Sequence, residues 1–356
     1  MRALPVSAAS IGLAFAAGNS GDYEWQLPPG FPVPDVPRDN PMSVAKVELG
    51  RRLFNDTRLS RTGSYACASC HRRELAFTDG RAQARGATGE QVRRSAMTLT
   101  NVAYNAALTW GDPRVHSLEA QMQTPLFGTH PVEMGLPSDG GAALSAIAND
   151  ATYRAQFAQV FTGGHPVSMA HIIQAIAAYE RTLISGRAPF DRYVFDDEPN
   201  ALTDSAKRGM RLFFSQRVGC SQCHFGINFA GPIRTQDHVG AKASFANNGL
   251  YNIDGQGSYP RSDRGLWEVT KRGADMGKFR VPTLRNVALT APYMHDGSLP
   301  TLRAVLAHYM RGGEAGAHRD PRLHPFQLSE PEQDDLLSFL DSLSDRTFVL
   351  GVAPSP

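Results

Sequence analysis

The sequence predicts a mainly α-helical protein built from two related helical domains with long loops. Apolar residues recur at helical spacing, and several short motifs occur twice in the same order. In addition, 33 Gly and 24 Pro among 356 residues interrupt the remainder. No alternating run predicts a β-strand.

Residues 1–22 stand apart from the fold. An apolar run at 11–17 follows Arg2, and Ala14-Phe15-Ala16 resembles a small-residue cleavage site. The segment therefore reads as a signal peptide or a disordered N-terminus, and a signal peptide implies a periplasmic protein. No stretch approaches the ~20 apolar residues that cross a membrane. Lys and Arg total 36 against 34 Asp and Glu, a formal charge of +2. Nothing in this balance suggests a nucleic-acid partner.

The two halves follow one plan. Gly50-Arg51-Arg52-Leu53-Phe54 matches Gly209-Met210-Arg211-Leu212-Phe213. Each lies in a helical pattern with a polar cap candidate ahead of it, Ser43 in one case and Thr203 or Ser205 in the other. Later, Thr98-Leu99-Thr100-Asn101-Val102-Ala103 matches Thr283-Leu284-Arg285-Asn286-Val287-Ala288. Leu118-Glu119-Ala120 and Leu302-Arg303-Ala304 follow in the same order. The expected domains are 23–200 and 201–356, joined where Asp-Asp-Glu-Pro-Asn at 196–200 breaks a helical run. Residues 142–183 read as helical, with His171 as a packing or surface histidine. Residues 330–343 form another amphipathic pattern.

All four cysteines fall in two motifs, Cys67-Ala68-Ser69-Cys70-His71 and Cys220-Ser221-Gln222-Cys223-His224. Cys-x-x-Cys-His is the signature of c-type haem attachment: the thiols form thioethers and the adjacent imidazole becomes an iron ligand. A zinc site is the alternative, but it needs the Cys pairs to converge in one compact module. Here each pair sits in its own repeat. Thioredoxin-like chemistry needs a βαβ setting, which the pattern lacks. Two covalently bound c-type haems in two cytochrome c-like domains are expected.

With these motifs, Phe77-Thr78-Asp79-Gly80, Pro131-Val132-Glu133-Met134-Gly135 and the segment 281–297, the chain resembles the dihaem cytochrome c peroxidase and MauG superfamily. The resemblance implies a peroxide-reactive N-terminal haem on His71 and a six-coordinate C-terminal haem on His224. It also places three features. Where many conventional peroxidases carry a blocking His, this chain has Ala87, as MauG-like enzymes leave that iron open. The second haem's sixth ligand falls at Tyr309, the MauG-like choice, where conventional enzymes use Met; the neighbours Met310 and His308 stay open as ligands, and Tyr309 also fits a core position on one helical face with Leu302, Val305 and Leu306, capped by Ser298 and Gly312. Gln121, Pro125 and Glu133 match the reactive pocket, with extra residues between Pro125 and Glu133; His116 and His130 lie nearby. A carboxylate there would shuttle a proton between the two peroxide oxygens.

The resemblance further implies that Trp110 lies between the haems. A calcium ion would take the carbonyls of Thr290 and Pro292 and the side chain at Ser95, where the family usually has Asn. MauG-like enzymes deliver oxidising power through a surface Trp before the second haem motif, and that position is Val218 here; Trp25 and Trp267 are the remaining tryptophans. The segments 23–34 and 39–43 resemble the MbnH-like branch, whose members oxidise a tryptophan of a copper-binding, MbnP-like periplasmic partner to kynurenine. The expected function is thus a MauG-like oxidoreductase that uses hydrogen peroxide to reach a high-valent dihaem state and modifies a partner protein. The alternatives are a conventional dihaem cytochrome c peroxidase fed by a small cytochrome or cupredoxin, and a non-catalytic electron carrier, which the absence of a His at position 87 disfavours.

Overall fold

The structure is a computed structural model that describes residues 23–351. The signal-peptide expectation for 1–22 lies outside those residues. Helix α1 (Val44–Phe54) begins at Ser43, whose hydroxyl accepts from the Lys46 amide, and ends with Arg51 and Arg52 against its carbonyl end. The first Cys pair forms the single turn α2 (Cys67–Cys70). Two short turns follow, α3 (Leu118–Gln121) and α4 (Gln123–Phe127).

The helical stretch expected over 142–183 is three helices, α5 (Gly141–Asn149), α6 (Ala151–Val160) and α7 (Met169–Arg181). Asp150 breaks the first pair because its carboxylate accepts from the Thr152 and Tyr153 amides and restarts the chain as an N-cap. Gly163, Gly164 and Pro166 make the second break. His171 stacks on Phe161 with ring centres 4.0 Å apart, a packing role.

Helix α8 (Pro189–Phe195) precedes the join, and α9 (Asp204–Phe213) starts at Thr203 rather than Ser205. After α10 (Trp267–Thr270) comes α11 (Leu302–Met310). Thr301, not Ser298, caps α11, because its side chain accepts from the Ala304 amide. Helices α12 (Glu330–Asp341) and α13 (Arg346–Leu350) close the chain. No strand was expected; the described residues hold one two-residue antiparallel pairing, β1 (Phe245–Ala246) with β2 (Phe279–Arg280).

Two apolar clusters form, one drawn from residues 49–183 and one from 190–343. The shared Gly-x-Arg-Leu-Phe motif explains why they look alike. A Cβ on Gly50 would meet the Ala175 carbonyl oxygen of α7 at 1.9 Å, and a Cβ on Gly209 the Asp335 oxygen of α12 at the same distance. Each glycine lets its helix lie directly on the backbone of a later one, so α1 crosses α7 and α9 crosses α12. The second repeated motif sits at the junction. Asn101 and Asn286 both adopt left-handed φ (56° and 59°) and both bond to Ser185: the Asn101 side chain donates to the Ser185 carbonyl and accepts from its amide, and the Asn286 side-chain amide donates to the Ser185 hydroxyl at 3.0 Å. The tail returns to the first half, where Phe348 packs on Phe77 and its carbonyl accepts from Arg73 at 3.1 Å.

Candidate active site

Each proximal His is oriented by backbone. His71 Nδ1 lies 2.9 Å from the Phe77 carbonyl oxygen and His224 Nδ1 lies 2.8 Å from that of Phe229. Nδ1–H then donates and leaves Nε2 unprotonated, the form that binds a metal. Burial holds both imidazoles below their ordinary pKa, against the carbonyls of Phe77 and Met97 in one half and of Phe229 and Pro282 in the other. Met97 and Pro282 each immediately precede a copy of the repeated Thr-Leu motif, so the duplication extends to the ligand's support.

None of the four cysteines forms a disulfide. Burial keeps them as thiols, Cys67 and Cys220 being pushed up to about 12. Among the described residues no group of three His, Cys, Asp or Glu side chains comes together as a metal set, so the two pairs do not converge as a zinc site requires. Two thiols and a free Nε2 per half fit covalent haem.

A cavity of about 260 Å³ adjoins the second motif and is lined by Cys220, Cys223 and His224 together with Trp110 and Tyr309. Leu302, Val305, Leu306 and Tyr309 all line it, so the predicted face of α11 points inward. Met310 instead packs against the neighbouring apolar cluster, and His308 Nε2 is bonded to the Asn248 carbonyl at 2.9 Å. Burial beside Cys220 and Cys223 pushes the Tyr309 phenol up to about 12, with Asn248 opposing. Val218 is buried and lines the same cavity, so this position offers no surface exit. Trp267 lies half-buried between Arg264 and Lys271, 4.5 and 4.6 Å from its ring, and Trp25 packs edge-on to Tyr23.

Around the first motif the chain brings three segments together. Gly86 touches the Val132 carbonyl so closely that a Cβ would sit 1.8 Å from it, and the Ala87 amide donates to the Glu133 carbonyl at 2.6 Å. Cys70 Sγ lies 3.9 Å from the Arg85 carbonyl oxygen. The Met134 amide donates to Pro125 of α4 at 2.9 Å, with Gln121 one turn earlier on α3. Burial raises the Glu133 carboxyl above its ordinary pKa. His116 and His130 are both exposed, and His116 Nδ1 lies 2.6 Å from the Arg114 carbonyl oxygen.

Trp110 joins the halves: its Nε1–H donates to the Ser95 carbonyl at 3.1 Å, and its own carbonyl accepts from the Arg280 amide at 2.9 Å. Ser95, Thr290 and Pro292 all line the cavity, while the Ser95 hydroxyl donates to the Met294 carbonyl at 3.3 Å.

The di-haem cytochrome c peroxidase profile matches residues 44–199. The chain is 38% identical to cytochrome-c peroxidase IdrP1 of Pseudomonas sp. (strain SCT), over 96% of this chain and 92% of that one. This chain belongs to the dihaem cytochrome c peroxidase and MauG family. It is 37% identical to the methylamine utilization protein MauG of Methylorubrum extorquens, over 86% of this chain and 80% of that one. A solved MauG-like protein associated with microbial copper homeostasis superposes with a TM-score of 0.88 at 40% identity, covering 92% of this chain and 97% of that one. As a family member the protein is a haem-dependent oxidoreductase with two c-type haems and a mainly helical fold of two cytochrome c-like domains. Among the described residues no helix is long and apolar enough to cross a membrane.

Sequence reasoning missed Arg280 and Asn248, which face or support the second haem cavity, and Glu180, a buried carboxyl close enough to Cys67 to raise its pKa. A single Arg inside the apolar run Phe279-Arg280-Val281 was the one signal available.

Proposed function

We propose that this enzyme uses hydrogen peroxide to oxidise a tryptophan of a periplasmic partner protein, with kynurenine as the product. The observation that carries this reading is Tyr309 on the wall of the cavity that holds Cys220, Cys223 and His224. A phenolic oxygen donates more charge to a metal than a thioether does, and so favours holding oxidising equivalents over passing electrons. Ala87 supports the same reading, since a methyl group offers no nitrogen to block the first site.

The haems, when bound at His71 and at His224, supply the redox chemistry with peroxide as oxidant. The chain's own groups handle protons and position. Glu133, half-buried and with its carboxyl pKa raised by desolvation, takes a proton from one peroxide oxygen and returns it to the other. Gln121 and Pro125 shape the pocket around it. The Trp110 indole, fixed at Nε1 by Ser95 and at its carbonyl by Arg280, spans the two halves. A calcium ion on Thr290, Pro292 and Ser95 would brace the same junction. The two apolar clusters support a division into domains 23–200 and 201–356. The solved neighbour's association with copper homeostasis supports a copper-binding, MbnP-like partner.

A conventional peroxidase is the second reading, favoured by the similarity to IdrP1. The test is a hydrogen peroxide titration of the ferric protein without an electron donor, followed by mass spectrometry of an added copper-binding partner. A near-infrared band lasting minutes and an oxidised partner tryptophan are expected. Turnover only after one haem is reduced, with the partner unmodified, would sink the proposal.

A further inference from the structure

Arg280 is a buried cation without a counter-ion. It is 5% exposed, its Nε has no hydrogen-bond partner, and no carboxylate pairs with it among the described residues. Its side-chain bond is a weak one, Nη2 to the Met97 sulfur at 3.9 Å. Burial alone pulls its pKa down to about 10. Other buried arginines of this protein are paired: Arg285 bonds Asp191 twice at 2.8 Å, and Arg181 bonds Glu119 at 2.6 Å. An unpaired guanidinium held out of water is strongly unfavourable unless an anion meets it.

Its location says which anion. Arg280 lines the cavity that also exposes Cys220, Cys223 and His224. On its other side is a small pocket edged by Asn105 and Asn228, which supplies neutral amides and no charge. A haem carries two propionate carboxylates, and a guanidinium is the side chain that best matches a carboxylate in geometry. We infer that Arg280 pairs with a propionate of the haem attached to Cys220 and Cys223, and through its backbone amide fixes Trp110 against that same haem edge. Arg280 is a positioning residue: one side chain and one amide couple the cofactor's charge to the indole between the halves. This rests on the second haem being bound and is independent of which partner is oxidised.

The experiment uses the haem-loaded protein, with Arg280→Gln and Arg280→Lys. At mildly alkaline pH an uncompensated propionate disfavours the added electron. Arg280→Gln should therefore shift the reduction equilibrium of the C-terminal haem about tenfold toward the ferric state, about 59 mV for one electron. Arg280→Lys should restore most of it, which a merely space-filling role would not do. No shift in Gln, or an equal shift in both variants, overturns the inference. Should the Gln variant not fold, a crystal structure of the wild-type holoprotein decides. A guanidinium nitrogen within about 2.7–3.2 Å of a propionate oxygen supports the pairing; a guanidinium facing only water or an inorganic ion overturns it.

Discussion

The Ala87 amide donates to the Glu133 carbonyl at 2.6 Å, so the two residues we propose for the open face of the first site and for its proton shuttle are tied by one backbone bond. Gly86 makes the contact possible, because any side chain there would collide with Val132. The Ala87 side chain and that of Glu133 therefore start from adjacent points of the same wall.

Placing an imidazole at that point should close the first site. Ala87→His is expected to slow the reaction of the ferric protein with peroxide by at least about tenfold, ~1.4 kcal/mol of barrier. Stopped-flow mixing before and after one-electron reduction checks it. Equal rates in variant and parent would show that position 87 does not face the iron.

Glu133 should set the acid limb of the peroxide reaction. Burial raises its pKa, so the basic carboxylate appears only as pH rises through a value above the ordinary 4.5. Glu133→Gln should lower the rate by about 10²–10⁴ and erase that limb. A retained pH profile in the Gln variant would assign the proton shuttle elsewhere.

Tyr309 should be replaceable in shape but not in chemistry. Tyr309→Phe and Tyr309→Met should both fold, since the site tolerates apolar lining, and both should lose the lasting near-infrared band. Partner oxidation should fall by at least about tenfold. If Tyr309→Met is as effective as the parent while Met310→Leu is not, the ligand is Met310.

Glu180 should make stability depend on pH. It is buried with one oxygen unpartnered, and burial lifts its carboxyl to about 8 from an ordinary 4.5. The folded-state pKa lies above the unfolded one. The favourable contribution is thus complete below 4.5 and is lost as pH rises toward 8. Glu180→Gln should flatten this decline and add about 3–5 kcal/mol at the alkaline end. Parallel melting curves for both proteins across the range would place the Glu180 carboxyl in water.

Much of this protein follows from local sequence. The Cys-x-x-Cys-His motifs announce their chemistry because the thiols and imidazole are neighbours in the chain, and the paired Gly-x-Arg-Leu-Phe and Thr-Leu-x-Asn-Val-Ala segments announce a duplicated helical plan. The inward face of α11 was likewise legible, since Leu302, Val305, Leu306 and Tyr309 recur at helical spacing. The single helical pattern over 142–183 hides a break, because the Asp150 carboxylate competes for backbone amides and restarts the helix. Only the tertiary structure decided that His116 and His130 are exposed, that Val218 is internal, and that Arg280 has no counter-ion among the described residues. Each of these depends on which groups meet across distant parts of the chain. A side chain's burial and charge balance are set by partners that no spacing along the sequence records.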